Sequence, residues 1–184
     1  TAFLPSGSNA YMLYVDKPIA SLVSTVKAQG YSSYAMHPYY ASGWKRTEVY
    51  NNFGFDLFVS LEDLIDISVM NEYQKNGSNA DYLQQLIEQM CPDKSHMLLR
   101  QYVSDAYNYE VLIEDFENRD DSVPYFAFNV TMQNHGGYTD DTGEIRPHQI
   151  NVLDKKLVDE EVSNYLDLVK NAGSIFMGRY CPEA

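Results

Sequence analysis

Basic residues are scarce in this chain. Lys and Arg number 13 against 26 Asp and Glu, a formal charge of −13 at pH 7. Non-specific nucleic-acid binding depends on Lys and Arg neutralising phosphates, so no nucleic-acid partner is expected. The same balance argues against docking on anionic membrane surfaces, although a local cationic pocket is compatible with it. Cysteine is rarer still. Cys91 and Cys181 allow at most one intrachain bridge, which excludes a disulfide framework and a four-thiolate zinc site. Long apolar runs are missing: none approaches the roughly 18–20 residues that span a bilayer. No basic-then-apolar segment opens the sequence, and the abrupt start at Thr1-Ala2-Phe3-Leu4-Pro5 reads as a processed or excised piece.

What is present describes a packed chain. Hydrophobic residues make up 45% of the 184 and charged residues 21%. That suffices for a sizeable core and excludes wholesale disorder, collagen-like and coiled-coil architectures. The length fits one domain or one large piece of a bigger one. Tyr is unusually common at 16 copies, a residue that suits polyol and sugar surfaces as well as half-buried core.

Along the chain, helices separate short strands. Residues 16–29 read as a helix with Asp16 as N-cap, Pro18 in its first turn and Gly30 ending it. Tyr31 to Met36 reads as a strand, and His37 to Gly43 as a loop. Trp44 to Phe53 reads as a helix closed by Gly54, and Phe55 to Val59 as a strand. Residues 61–76 look irregular, with a short helix at Leu61–Ile67 and a polar turn from Lys75 to Ser78. Helices are expected at Asp81–Met90 and from Ser104 or Asp105 to about Glu117. Pro124 to Val130 is the clearest strand, apolar on both faces as in a buried parallel strand. A Gly- and Asp-rich loop, 133–146, precedes a last helix from near Asp159 that carries Val162, Tyr165, Leu166 and Val169. This alternation predicts right-handed parallel βαβ units in a layered α/β fold.

Ligands of such sheets gather beyond the carboxyl ends of the strands. That rule selects the loop opening at His37 and the loop containing His135. In His37-Pro-Tyr-Tyr-Ala-Ser-Gly-Trp44-Lys45-Arg46, Arg offers a planar fork of donors to phosphate oxygens. Trp offers a flat apolar wall, and His donates or accepts near neutral pH. The alternative has Trp44 as a core anchor and Arg46 as a solvated helix residue. In Thr131-Met-Gln-Asn-His135-Gly-Gly-Tyr138 a polar cluster leads into two glycines that let backbone approach a ligand. The alternative there is a capped turn with a hydrogen-bonded His.

Other motifs fail. Placing Gly143 of Asp140-Asp-Thr-Gly-Glu144 at the sixth position of a calcium loop leaves the acidic ligands missing. There is no P-loop, G-x-S-x-G or H-E-x-x-H. His96 and His148 have no metal-ligand spacing and read as surface residues. Neither Cys sits in a setting for Cys–His nucleophilic catalysis. Of the two glycosylation triplets, at Asn76 and Asn129, the second lies in a predicted buried strand and is discounted.

These segments resemble the lipoteichoic acid synthase family, phosphoglycerol transferases of the sulfatase and alkaline phosphatase superfamily. The resemblance runs through Phe3-Leu-Pro-Ser-Gly-Ser8, Gln29-Gly-Tyr31, His37 to Arg46, Val49-Tyr50, Phe53-Gly-Phe-Asp56, Tyr102-Val-Ser-Asp105, Pro124 to Gly137, and Asn164 to Lys170. It implies a three-layer α/β/α sandwich with a mostly parallel sheet, here an incomplete sulfatase-like domain. Residues 1–170 would be its central portion and 171–184 an off-pattern tail. It implies work at the extracellular face of a bacterial cell membrane, on phosphatidylglycerol or a glycerol-phosphate polymer. Membrane attachment would come only through segments absent here. By motif match His37, Trp44, Arg46 and His135 would line the substrate pocket, with Arg46 on a phosphate oxygen and the two His on phosphate or glycerol hydroxyls. Where some members carry an acid two residues after the loop His, this chain has Tyr39.

The family's threonine nucleophile, metal-binding acid and Asp-His pair fall outside the matched segments. No catalytic or metal-ligating residue is therefore assigned in this chain. The divalent metal, Mn or Mg, belongs to the intact family enzyme and is not expected on this piece. The isolated chain is expected to be inactive while encoding most of a substrate pocket. A non-catalytic module binding polyol phosphate or cell-wall polymer is the competing reading. Exposed sheet edges predict self-association.

Overall fold

The computed structural model describes residues 6–77, 79–139, 145, 150 and 159–180, with side chains as far as residue 175 in the last helix. Thr1, Phe3 to Pro5, Ser78, Asp140 to Glu144, Arg146, His148 and Cys181 to Ala184 lie outside the described residues. The elements in order are α1 (Ala10–Tyr14), α2 (Leu22–Lys27), β1 (Ser32–Met36), α3 (Arg46–Phe53), β2 (Leu57–Val59), α4 (Leu61–Leu64), α5 (Ile67–Asn76), α6 (Ala80–Met90), β3 (Leu98–Leu99), β4 (Tyr102–Val103), α7 (Asp105–Asn118), β5 (Tyr125–Asn129) and α8 (Glu160–Tyr180). They gather into two compact units, residues 1–67 with 111–130, and residues 68–110 with 131–184.

The first unit is built on a parallel sheet of order β2-β1-β5. Central β1 is buried from Ser33 to Met36 and presents Ser33 and Ala35 in register with Phe126 and Phe128 of β5. Registered neighbours in a parallel sheet share a face. Small residues on β1 thus leave room for rings. Tyr50 of α3 meets Phe58, Phe55 and Phe128 at centroid distances of 4.5, 5.7 and 6.3 Å. On the other face the last turns of α7 pack against Tyr34 and Tyr125. Phe116 lies 5.8 Å from Tyr125, whose hydroxyl donates to Asp115. Helix, sheet and helix make three layers, as expected.

Several boundaries differ from the sequence expectations. The helix predicted over 16–29 shrinks to α2, because Ser21 and Ser24 cap each other reciprocally and Ser21 Oγ also donates to the Phe53 carbonyl. Helix α1 precedes it, capped by Asn9. The short helix expected at Leu61–Ile67 forms as α4, ending at Leu64, and the residues read as irregular after it form α5. Ser60 and Asp63 make a capping box for α4. Strand β5 is not buried on both faces. It is the edge of the described sheet, and Ala127 and Phe128 are exposed.

In the second unit α6 buries Leu83, Leu86 and Ile87 as its stripe predicts, while Met90 is exposed. Strands β3 and β4 form a small antiparallel hairpin that was not expected. Helix α8 buries Asn164, Asp167 and Leu168, whereas Val162, Tyr165 and Val169 of the predicted set are exposed. Its inward face is polar because Asn164 Nδ2 donates to the Tyr138 carbonyl and Asp167 accepts from the Ile150 N–H. The helix continues through the predicted tail to Tyr180.

Ala35 is fully buried under the ring cluster, so extra volume there has nowhere to go. Ala35→Leu is expected to cost about 1–3 kcal/mol through overpacking, read as a lowered urea midpoint. Leu22→Ser, at an exposed position, is expected to leave that midpoint nearly unchanged.

Candidate functional site

The carboxyl ends of all three strands are tied together by backbone. The His37 N–H donates to the Val59 carbonyl at 3.0 Å and the Val130 N–H to the Met36 carbonyl at 2.9 Å. His37 therefore leaves β1 at the strand tip that the topology rule selected. Pro38 behind it is buried. The loop then folds on itself. The Leu61 N–H donates to Tyr39, the Gly43 N–H to Tyr40, and the Ala41 N–H is shared between both oxygens of Glu62.

Trp44 and Lys45 adopt φ of 57° and 55°, the left-handed region, in succession. Non-Gly residues there cost roughly 1–2 kcal/mol each. This strained pair shifts the helical phase and inverts the burial expected of a plain helix start. Trp44 is 55% exposed, whereas Arg46 is 6% exposed. The alternative with Trp44 as core anchor and Arg46 solvated is thereby overturned.

Arg46 Nη1 donates to the Tyr40 carbonyl at 2.9 Å, and its guanidinium lies 5.9 Å from the Tyr39 ring. It has no carboxylate partner among the described residues. A Cβ added to Gly43 would fall 2.5 Å from Nη1, so glycine there lets the guanidinium lie against backbone. The charge faces a cavity of about 530 Å3, lined by His37, Trp44 and Arg46 together with Tyr11, Ser21, Leu22, Val23, Tyr50, Phe53, Phe55, Phe126, Phe128 and Val130. Tyr11 and Tyr50 hydrogen-bond each other. Burial raises both hydroxyl pKa values, while Arg46 pulls them down less strongly, so both stay neutral. The three predicted residues of the first loop thus share one cavity, and the sequence reading missed its aromatic wall. The strand phase of Phe126 and Phe128 was the signal that could have found it.

His135 belongs to the second unit. It is exposed, in a turn closed by its N–H on the Met132 carbonyl. Its Nδ1 lies 3.1 Å from the Tyr102 hydroxyl. Arg100, at the tip of the β3–β4 hairpin, donates to the Gly137 carbonyl. The preceding stretch is clamped by Asp105. The Asp105 N–H donates to Gln133 Oε1 at 2.9 Å, and the Asp105 carboxylate accepts from the Gln133 N–H and the Thr131 hydroxyl. Gln133 Nε2 donates to Asn171 Oδ1. Burial pushes the Asp105 carboxyl up to about 6, against the pull of those hydrogen bonds. Tyr102 and Asp105 sat in a segment whose resemblance was noted but to which no role was given.

Among the described residues no group of three or more His, Cys, Asp or Glu converges to hold a metal. Sulfatase and alkaline phosphatase superfamily enzymes are metal-dependent as a rule. That donor set is not met by the described residues. No helix among the described residues is long and apolar enough to cross a membrane.

The Sulfatase family model matches residues 5–172. A Rhizobium meliloti protein named for cyclic beta-1,2-glucan modification is 34% identical over 137 residues, covering 74% of this chain and 17% of its own length. Lipoteichoic acid synthase of Staphylococcus aureus (strain USA300) is 25% identical, covering 92% of this chain and 23% of its own. Lipoteichoic acid synthase LtaP from Listeria monocytogenes superposes with a TM-score of 0.60 at 20% identity, over 92% of this chain and 34% of that one. A Vibrio parahaemolyticus protein of the alkaline phosphatase superfamily superposes at 0.53 and 19% identity, over 95% of this chain and 36% of that one. The two structures establish the α/β fold. The chain spans 17–23% of the length of these curated relatives.

Asp105 yields a pH test. Its folded pKa of about 6 lies above the ordinary 3.8, so the folded state holds its proton longer than the unfolded chain does. Its contribution to stability therefore falls as pH rises between those values and is flat above them. Asp105→Asn keeps the acceptor oxygen and removes the titration. The wild-type-minus-variant difference in thermal midpoint is expected to decline across that window; a flat difference would refute the assignment.

Proposed function

Because the chain belongs to the sulfatase family, we propose that it supplies the head-group pocket of a phosphodiester-cleaving phosphoglycerol transferase or a related hydrolase. The observation that carries this reading is Arg46: buried, turned to the cavity, and without a carboxylate among the described residues. A buried cation is costly unless paired, and a bound phosphate oxygen would pair it through the planar fork of the guanidinium. His37 at the strand tip serves a phosphate oxygen or glycerol hydroxyl. Trp44, held outward by its strained backbone, forms a wall for the polyol.

The remaining lining is aromatic and aliphatic, more apolar than glycerol phosphate alone would use. That suits a lipid donor such as phosphatidylglycerol, whose apolar part lies beside the head group. A glycerol-phosphate polymer is the other candidate ligand. His135 of the second unit is assigned to the same class of ligand through its Gln-Asn-His-Gly loop. The intact protein would act at the extracellular face of a bacterial membrane, with a divalent metal and a nucleophile supplied by residues other than those described.

The test is calorimetric titration of the 184-residue chain with sn-glycerol 3-phosphate. Removing one partner of a desolvated charge pair costs about 2–5 kcal/mol, so Arg46→Ala should weaken binding by roughly 30-fold or more. Arg46→Lys keeps the charge but not the fork and should fall between. Equal affinity in Arg46→Ala, with the fold intact by circular dichroism, would sink the assignment.

A further inference from the structure

His135 is exposed at the tip of a turn, a place where an imidazole ordinarily samples both tautomers and several ring orientations. Its surroundings restrict it. Tyr102 is 7% exposed and fixed in β4 by the pairing of Leu99 with Tyr102. The Tyr102 hydroxyl lies 3.1 Å from His135 Nδ1, and the two rings stand 5.3 Å apart at 45°. Gln101 Nε2 donates to the same hydroxyl at 3.3 Å. The phenol thus accepts from one side and has a single proton to give on the other. Among the described residues two acceptors compete for it, Nδ1 at 3.1 Å and the Gly136 carbonyl at 3.5 Å. Distance favours Nδ1.

We propose that Tyr102 is a positioning residue for His135: by donating to Nδ1 it fixes the tautomer that carries its proton on Nε2, and so presents an N–H donor outward. An outward donor suits a phosphate or hydroxyl oxygen, whereas the other tautomer would present a lone pair. The alternative bond, Nδ1–H to the Gly136 carbonyl at 3.3 Å, would stabilise that other tautomer. Tyr102 therefore decides between two states of the same ring. Arg100 supports both sides of the contact. Its backbone sits at φ 62°, its guanidinium lies 5.7 Å from the Tyr102 ring, and it donates to the Gly137 carbonyl, holding the loop beyond His135. As a claim about ligand binding the proposal rests on the assignment of His135 to the head group; as a claim about the tautomer it stands alone.

Imidazole 15N shifts of the full 184-residue chain at alkaline pH test it, with His135→Gln identifying the signal. The wild type should show the Nε2–H tautomer, and Tyr102→Phe, which keeps the ring packing, should move the population toward Nδ1–H. Loss of one hydrogen bond's orientation should also weaken sn-glycerol 3-phosphate binding roughly two- to tenfold. A wild-type ring already in the Nδ1–H form, or a tautomer unmoved in Tyr102→Phe, overturns the proposal. A wild-type ring in the Nδ1–H form overturns it even if the variant folds poorly. Unchanged affinity in His135→Gln would remove His135 from the head-group reading, while a tautomer shift in Tyr102→Phe would still uphold the Tyr102–His135 coupling.

Discussion

Strand β1 is hydrogen-bonded along both edges, and its partners on both sides run parallel to it. Parallel pairing places all three carboxyl ends at one rim, which makes a rim site possible. Two backbone bonds, His37 to Val59 and Val130 to Met36, carry the ladder one residue beyond the strands. The side chain at the tip of β1 is thereby aimed by sheet geometry and not by loop chance. The rest of the first unit accommodates this arrangement. Ser33 and Ala35 are small, so the large rings come from α3, β2 and β5, and Tyr50 of α3 and Phe126 and Phe128 of β5 are also cavity wall.

Local strain and local burial are coupled at the start of α3. Two consecutive left-handed residues would be unfavourable in a plain helix start. Here they turn Trp44 outward and Arg46 inward, and the bonds of Tyr39, Tyr40 and Ala41 to their neighbours hold the loop in that shape. A solvated Arg with a buried Trp would be the cheaper arrangement for a helix of no function. The observed one retains a cation with no carboxylate partner among the described residues beside a cavity, which is the kind of cost that ligand binding offsets.

The strands over 31–36, 55–59 and 124–130 were legible because short apolar runs stand between Gly and Pro stops. The parallel α/β class followed from helices lying between them. His37 was legible for the same reason, since it is the first residue past a recognisable strand. The burial of Arg46 was not. Sequence phase was counted from Trp44 as a regular helix, and no Gly or Asn announced the left-handed pair. The β3–β4 hairpin escaped because its turn is made by Arg100 at positive φ, without the usual turn residues. Helix α8 misled in another way: periodicity assigns apolar residues to the core, and its buried face holds Asn164 and Asp167 instead, each hydrogen-bonded to a backbone group. Polar cores leave no hydropathy signal.

A chain of net charge −13 repels an anionic ligand at a distance, and salt screens that repulsion only beyond about 8–10 Å. Under the proposed head-group reading, recognition of phosphate must then come from short-range groups that water does not dilute. The described arrangement meets that demand through burial and not through the number of cations. The Arg46 fork is desolvated against Tyr40 and the face of Tyr39, with glycine at position 43 giving it room. Two neutral tyrosine hydroxyls, Tyr11 and Tyr50, line the same cavity without adding negative charge. In the second unit the carboxylate of Asp105 is spent on Thr131 and Gln133, which holds the start of the loop that carries His135. Acidity serves the scaffold there, and the groups offered to a ligand are the neutral or cationic ones.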